Sequence, residues 1–398
     1  MSDVGDALPD DLLPTLQPTV EHRWFGRYGV VGEPEGGSYL RLEPIEYEFT
    51  TSLDGSASVE TLEAKSGPDA HDWLELLWEE GFLVGSPGPS TDRVVFTPQG
   101  IEISGVQRLV RWAYRWFGRW VFTVGGRIAV AVVALIGVVV FAQALATGLP
   151  LRPTTLSPIV AVVVIEVMTW SGAFLHEFGH AFVLVRHGRR VGRVGVGFYW
   201  GLLSFYVDAS DGMLMDRRSR MWQAAAGCIT EVFLAGAALL VSVACGTGTP
   251  TGALMRQFAL LSYLTVLLNL VPLLGLDGYH LLTDALERPE LKDEAGEAVR
   301  DLRRSLRDPR RRNLAIYGLV SAVFGVVVFL AALTAWWRVF GTLFFDLLHG
   351  SVVSKGVGIY FVLPYLVMIV HLAATARRAV QNRAGADGGA GDVEALAP

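Results

Sequence analysis

Hydrophobic and polar positions follow two different patterns in this chain, and the pattern changes near residue 105. Before that point apolar residues occur in short groups. In Ser38–Glu43, for example, Leu40 and Leu42 share one face of a predicted strand. After that point long apolar runs are separated by short polar connections, which is typical of helices that cross a bilayer. We therefore predict an α-helical polytopic membrane protein with a small N-terminal α+β domain.

About six apolar runs approach the roughly 20 residues that a spanning helix needs. The predicted spans are 128–148, 158–185, 221–244, 256–276, 314–337 and 356–376. Arginines are concentrated before the first span, in every second connection and after the last span. Under the positive-inside rule, both termini are expected in the cytoplasm. Arginine far outnumbers lysine, which favours a prokaryotic cell membrane as the location.

The pattern within residues 18–105 predicts a small winged-helix-like domain on the cytoplasmic side. Its predicted elements are a strand at 38–43, helices at 45–52, 58–65 and 69–80, and strands at 81–84 and 93–97. The polar, proline-containing residues 1–17 and the Gly/Ala-rich tail 384–398 are expected to be disordered.

Residues 106–127 are predicted to form a basic juxtamembrane helix. Four arginines are interspersed with aromatic residues in this segment: Arg108, Arg111, Arg115 and Arg119 with Trp112, Tyr114, Trp116 and Phe117. Such a mixture can also bind nucleic acid, but here the first span begins directly afterwards. We therefore favour a helix at the surface of the lipid bilayer and expect no nucleic-acid partner.

Charge separates the two parts of the chain as well. The first hundred residues carry 19 acidic and 5 basic residues, and the remainder carries 20 acidic and 28 basic ones. The acidic surface either attracts a basic peptide or keeps the domain soluble. Cys228 and Cys245 fall on one predicted helix, about 25 Å apart along its axis, so they cannot form a disulfide. We expect both to be buried packing residues.

The strongest chemical signal is the heptapeptide Phe174–His180 inside the second predicted span. His176 and His180 are four residues apart, so both rings lie on one helix face and reach one metal ion. Glu177 follows the first histidine and is placed to hold a water on that ion. This is the HExxH pattern of zinc peptidases, in which the glutamate is the general base. Polar residues at membrane depth are costly and usually functional.

A zinc ion with two histidines and a water lacks one protein ligand, which we expect on another span at the same depth. The segment Asn269–Gly278 supplies Asp277 near the inner end of the fourth predicted span. His176 and His180 lie in the inner third of the second span, which runs in the same direction. Topology and ligand chemistry therefore agree on this aspartate.

The two motifs together resemble the site-2 protease family of intramembrane zinc metallopeptidases over about residues 158–285. That family carries HExxH on one span and NxxPxxxxDG on a later span, and Asn269–Gly278 fits the second pattern. The resemblance implies that residues 128–380 form a membrane metalloprotease domain.

The resemblance also implies roles for single residues. It implies a Zn²⁺ ion held by His176, His180 and Asp277. Glu177 takes the part of the catalytic base, and Asn269, by analogy, helps to hold the substrate or the oxyanion.

One position departs from the family pattern. Many members carry Ala-Gly-Pro and then an asparagine in the next span, where this chain has Ala226–Glu231. Glu231 is a hydrogen-bond partner of a ligand histidine, an additional ligand or a neutral buried carboxyl, and we favour the first. Glu166 lies on nearly the same helix face as Glu177 but farther out, and we favour an interhelical hydrogen bond over a catalytic role.

Several other features leave alternatives open. The segment Val191–Asp208 predicts a hairpin, which either clamps a substrate as an added strand or is purely structural. His187, His280 and His371 lack partners at metal-ligand spacing and are expected to be interfacial or structural.

Three segments of the N-terminal domain resemble PqqD-type domains, which recognise the precursors of ribosomally made, modified peptides. These segments are Ser38–Leu42, Leu53–Glu60 and Leu77–Leu83. The resemblance implies that the N-terminal domain binds a peptide. The alternative is a generic winged helix used for packing.

The leading prediction is a zinc-dependent intramembrane endopeptidase that acts on a precursor peptide or a transmembrane protein. The alternative is a non-proteolytic membrane anchor or export component that binds a peptide through its N-terminal domain. A soluble-type HExxH peptidase tethered to the membrane would need a third ligand outside the spans, and no motif supplies one.

Overall fold

The computed structural model of the chain describes residues 8–9, 11–33, 37–67, 69–87, 94–97, 100–148, 156–199, 202–349, 355–356 and 359. The chain divides into two compact units. The first comprises Met1–Phe96, Ile101–Gly195 and Phe205–Val327. The second comprises Thr97–Gly100, Val196–Ser204 and Val328–Pro398. The residues of both predicted metal-binding motifs belong to the first unit, as does most of the N-terminal domain.

The N-terminal domain packs three helices against a three-stranded antiparallel sheet. The strands, in the order β1-β2-β3, are β1 (Glu21–Trp24), β2 (Gly29–Glu33) and β3 (Ser38–Leu42). The helices are α1 (Pro44–Thr51), α2 (Val59–Ser66) and α3 (Asp69–Glu79). Their shared core includes Val31, Leu42, Leu74, Leu77 and Phe82.

Local signals place these helices. Pro44 occupies the first turn of α1, where its missing N–H costs nothing, and Glu43 and Glu46 form a capping box. Ser58 caps α2 by accepting a hydrogen bond from the Thr61 N–H at 3.4 Å. The predicted strand at 38–43 and the three predicted helices are confirmed to within one or two residues.

Other parts of the domain differ from the prediction. Residues 81–84 are not a strand, because they form only an isolated bridge between Leu83 and Leu16. Part of the segment 1–17, which we expected to be disordered, packs against the domain, because Leu12 and Leu16 contact its core. The sequence pattern does not predict β1 and β2, because their residues do not alternate between buried and exposed positions. All of β1 is exposed and all of β2 is buried.

The juxtamembrane segment predicted as one helix at 106–127 is broken into shorter pieces. They are α4 (Gln107–Ala113), a π-helical turn at Tyr114–Gly118 and a 3-10 turn at Arg119–Phe122. Thr123 then caps the next helix by accepting a hydrogen bond from the Gly126 N–H at 3.0 Å. The first span therefore begins as a separate helix.

Among the described residues, five helices are long and apolar enough to cross a membrane. They belong to α5 (Val124–Thr147), α6 (Pro158–Arg186), α7 (Arg217–Cys245), α8 (Pro250–Asn269) and α12 (Pro309–His349). This composition is compatible with a helical membrane protein. The sixth predicted span, 356–376, lies almost entirely outside the described residues, and the tail 384–398 lies wholly outside them.

The fourth span ends at Asn269, seven residues before its predicted end at 276. Pro272 lacks a backbone donor, and Gly275 has a φ of +76°, so the chain leaves the helix and turns. Three helices then lead to α12: α9 (Asp277–Leu286), α10 (Leu291–Arg300) and α11 (Leu302–Ser305).

α7 is the central helix of the bundle and packs against α5, α6, α8 and α9. Glycines allow its closest approach to α5, because a Cβ on Gly137 would lie 2.3 Å from the Cα of Gly236. Both cysteines lie on α7 and are free, as predicted, but Cys245 is exposed and not buried.

The predicted hairpin at 191–208 is confirmed as β6 (Val194–Tyr199) and β7 (Leu202–Val207). It continues a sheet that begins with β4 (Val94–Thr97) and β5 (Gly100–Ile103), in the order β4-β5-β6-β7. A 3-10 turn at Ser210–Leu214 connects the hairpin to α7.

Candidate metal centre

α6 holds His176 and His180 in the interior of the bundle, where 6% and 7% of their surfaces are exposed. Their Nε2 atoms lie 3.1 Å apart, as one helical turn between them allows. Both rings therefore direct the same nitrogen toward one point.

Asp277, the first residue of α9, reaches this point from outside α6. Its Oδ2 lies 3.0 Å from His176 Nε2, and its Oδ1 lies 3.4 Å from His180 Nε2. One donor atom from each of the three residues falls within 4.8 Å of the others. The chain after α8 must fold back tightly to achieve this, since a Cβ on Gly278 would lie 2.3 Å from the Leu270 carbonyl oxygen.

α7 contacts the other nitrogen of each ring. His180 Nδ1 donates to the Gln223 carbonyl oxygen at 2.6 Å, so in the neutral ring Nε2 carries the lone pair. The buried Glu231 places Oε2 3.6 Å from His176 Nδ1, longer than a hydrogen bond. Glu231 therefore lies beside the nitrogen of His176 that faces away from Asp277. A residue that only supports His176 is expected beside this nitrogen, Nδ1. An additional metal ligand would instead lie near Nε2, on the side of Asp277.

Gly227 of α7 lies against the His176 ring. A Cβ at this position would stand 2.2 Å from His176 Nε2, the atom that faces Asp277. The missing side chain therefore creates the space that the ring occupies.

Gly227→Ala is expected to displace the His176 ring and to weaken metal binding by about tenfold or more, as disturbed support of a ligand does. Competition with a chelator of known affinity measures the change. Gly296→Ala in α10 is the control, because a Cβ there meets no atom within 4 Å. Equal metal affinities of the wild type and Gly227→Ala would contradict this account of the glycine.

Glu177 points toward the hairpin. Its Oε2 accepts a hydrogen bond from the Val207 N–H at 3.1 Å, so the end of β7 holds the carboxylate. Oε1 has no protein donor among the described residues. One oxygen is thus fixed, and the other is left for a water or a substrate.

A cavity of about 520 Å³ opens beside these residues. Glu177, His180 and Asp277 form part of its wall, and Tyr28 and Arg41 of the N-terminal domain form another part. A peptide that reaches Glu177 through this cavity therefore passes the N-terminal sheet. The sequence pattern does not predict that the N-terminal domain borders this cavity, because Tyr28 and Arg41 are more than a hundred positions from Glu177.

Specific contacts attach the N-terminal sheet beside the cavity. Arg23 Nη1 donates to the Leu214 carbonyl oxygen at 3.0 Å, and Glu21 pairs with Arg189 at 2.6 Å. Burial, together with the nearby Asp211, raises the pKa of Tyr39, so its hydroxyl stays protonated and acts as a donor.

The cavity is also lined by an ion pair between the buried Arg220 and the half-buried Asp284. Arg220 Nε donates to Asp284 Oδ1 at 2.8 Å, and the guanidinium lies 4.4 Å from the centroid of the Phe25 ring. Burial raises the pKa of the Asp284 carboxyl, while Arg220 acts in the opposite direction. The pair joins α7 to α9 and so helps to position the helix that begins with Asp277.

The other residues singled out from the sequence lie outside the cluster of His176, His180 and Asp277. Asn269 ends α8, and its side chain has no hydrogen bond among the described residues. Glu166 likewise lacks the predicted interhelical bond among those residues. His187 is structural, as predicted: its ring lies 2.9 Å from the Val183 carbonyl oxygen and 3.1 Å from Ser219 Oγ.

Two residues outside the motifs also lie at the site. His280, predicted to be interfacial or structural, lines the cavity. Cys228 Sγ lies 3.5 Å from Asp277 Oδ2 and donates to it, although we predicted only packing for this cysteine. No local sequence signal indicates this contact, because Cys228 and Asp277 are 49 positions apart in the chain.

No protein-family model, curated protein or solved structure matched this chain.

Proposed function

We propose that this chain is a zinc-dependent intramembrane endopeptidase of the site-2 protease type, acting on a membrane protein or a precursor peptide. The supporting observation is the convergence of His176, His180 and Asp277 next to Glu177, with the histidines on a helix apolar enough to span a membrane. Two imidazoles, one carboxylate and a separate general base form the set of groups used by hydrolytic zinc sites.

The donor spacing fits a tetrahedral zinc ion. Ligand atoms about 2.0–2.1 Å from such an ion lie roughly 3.3 Å from one another. The two histidine nitrogens lie 3.1 Å apart, and the Asp277 carboxylate approaches them through different oxygens, Oδ2 at 3.0 Å from His176 and Oδ1 at 3.4 Å from His180. With one donor atom from each residue, the three atoms lie within 4.8 Å of one another. Three protein ligands leave the fourth position open, as catalysis requires.

Zinc held by these residues would supply a Lewis acid that acidifies a water molecule and polarises the peptide carbonyl. Glu177 receives the proton of that water on Oε1 and passes it to the leaving amine. The Val207 N–H holds Oε2 during both transfers. The His180 hydrogen bond to Gln223 fixes the tautomer in which the lone pair of Nε2 would be free to bind the ion. Glu231 is proposed to support His176 in the same manner, and Asn269 to contact the substrate.

The substrate is proposed to enter as an extended strand. β7 is at the end of the order of the described strands in this sheet, and the N–H of its final residue, Val207, donates to Glu177. A peptide added to this strand would bring its carbonyls past the metal ligands, with the backbone hydrogen bonds that strand addition provides. The Tyr28 and Arg41 side chains in the cavity wall would then contact residues near the scissile bond.

The proposal is tested by reconstituting the purified chain in liposomes with solubilised membrane proteins and identifying new peptide termini by mass spectrometry. New termini are expected with the wild type, to be lost after treatment with 1,10-phenanthroline and to return when zinc is restored. Termini that persist after chelation, or no termini above the protein-free control, would contradict a metallopeptidase. If function in the host also survives loss of the metal, the peptide-binding anchor is the better explanation.

A further inference from the structure

A second cavity lies where the juxtamembrane segment meets the end of α6. It encloses about 420 Å³ and is lined by four arginines and no acidic residue. We call it the arginine cleft, and its arginines are Arg111, Arg115, Arg119 and Arg189. Tyr114 lines the same cavity.

The positive charge of the arginine cleft is only partly balanced. Arg189 pairs with Glu21 at 2.6 Å and lies 3.4 Å from Asp211. The other three arginines form no ion pair with any residue that the structure describes. Arginines that line one cavity place like charges near one another, and a bound anion would offset their repulsion. Phosphate suits them best, since arginine binds it through two parallel hydrogen bonds.

Capping of α6 does not explain these arginines. The Gly188 N–H donates to the Val185 carbonyl oxygen at 3.1 Å, and the Arg189 N–H donates to that of Leu184 at 2.9 Å. These backbone bonds satisfy carbonyls in the last turn of the helix without any side chain. The arginine cleft is therefore available for a ligand.

Aromatic residues place the arginine cleft at the level of the lipid headgroups. Trp116 is 71% exposed and Phe117 is 61% exposed, and both lie between two arginines of the cleft. Trp112 and Trp120 are also exposed, and the first apolar helix starts at Val124. Tryptophans and arginines next to a span are typical of the membrane–water interface. This setting favours the phosphate of a lipid headgroup over a free phosphate ion.

We propose that the arginine cleft binds the phosphate of an anionic phospholipid in the leaflet on the side of the N-terminal domain. Arg111, Arg115 and Arg119 hold the phosphate oxygens, and the Tyr114 hydroxyl donates to them. The acyl chains then lie along the start of α5. The bound headgroup contacts the end of α6, the helix that carries His176 and His180. This binding does not depend on the proposed peptidase activity.

The test is thermal unfolding of the full-length protein in neutral detergent while phosphatidylglycerol is added. Phosphatidylglycerol is expected to raise the Tm of the wild type, whereas phosphatidylcholine is not. In the triple variant Arg111→Gln/Arg115→Gln/Arg119→Gln, the concentration for half of the effect should rise on the order of 100-fold, at about 1 kcal/mol per arginine. The matched control, Arg303→Gln/Arg304→Gln/Arg307→Gln, removes three exposed charges elsewhere and should respond like the wild type.

Three results would overturn the proposal. An equal response of both triple variants would show general attraction to the bilayer charge. An equal effect of inorganic phosphate at the same concentration would show a phosphate-ion site in place of a lipid site. No effect of phosphatidylglycerol on the wild type would show that no lipid binds. Should the triple variant fail to fold, Arg115→Gln alone is titrated, and an unchanged half-effect concentration would also refute the proposal.

Discussion

Glu177→Gln is expected to lower the rate of peptide-bond cleavage by about 10²–10⁴-fold while leaving the metal in place. Glutamine keeps the size of the side chain and can still accept the Val207 N–H bond, but its amide cannot take a proton from water. The measurement is the cleavage rate of a substrate identified from its new termini, together with the metal content of the same preparation.

Glu166→Gln is the matched control for this experiment. It makes the same chemical change on the same helix, eleven residues earlier and outside the cavity. We expect the control to cleave at a rate close to that of the wild type. Cleavage by Glu177→Gln at the wild-type rate would remove Glu177 from the role of base. Loss of metal in this variant would assign it a structural role.

Asp277→Asn is expected to abolish stable metal binding, and cleavage with it. The carboxylate supplies the only anionic donor of the three, with oxygens 3.0 Å and 3.4 Å from the two histidine nitrogens. An amide oxygen carries no net charge, and two neutral imidazoles alone hold zinc weakly. The loss should exceed the 10–100-fold or so typical of residues that only support a ligand.

Elemental analysis of the purified protein measures this effect and should report zinc and iron together. Two histidines and a carboxylate also suit ferrous iron, so the identity of the metal is part of the result. We expect about one zinc per wild-type chain and per chain of the control Asp293→Asn, which alters an exposed aspartate in α10. Full zinc content in Asp277→Asn would refute the assignment of this ligand.

The positions of the helices could be predicted well because their signals are local. An apolar run of sufficient length, a serine or threonine cap and a proline in the first turn act over a few residues, as at Ser58 and Pro44. The errors fall where local signals compete or are missing. α8 ends early at Asn269 because Pro272 and Gly275 interrupt an otherwise apolar run.

The N-terminal sheet illustrates a limit of periodicity. β2 is buried throughout and β1 is exposed throughout, so neither shows the alternation by which a strand is recognised. Contacts with the distant Leu214 and Arg189 help to hold this sheet in place. Such long-range contacts form only in the folded chain, so no local sequence pattern indicates them.

The sequence by itself determined the apolar helices and the shared face of His176 and His180, because helical periodicity and the chemistry of the residues decide both. It also singled out Asp277, through spacing and expected depth. Only the tertiary structure decided that Gly227 makes room for the His176 ring, that Val207 holds Glu177 and that Arg41 borders the same cavity. These groups are distant in the chain, and they meet only because the helices pack and the loop after α8 folds back.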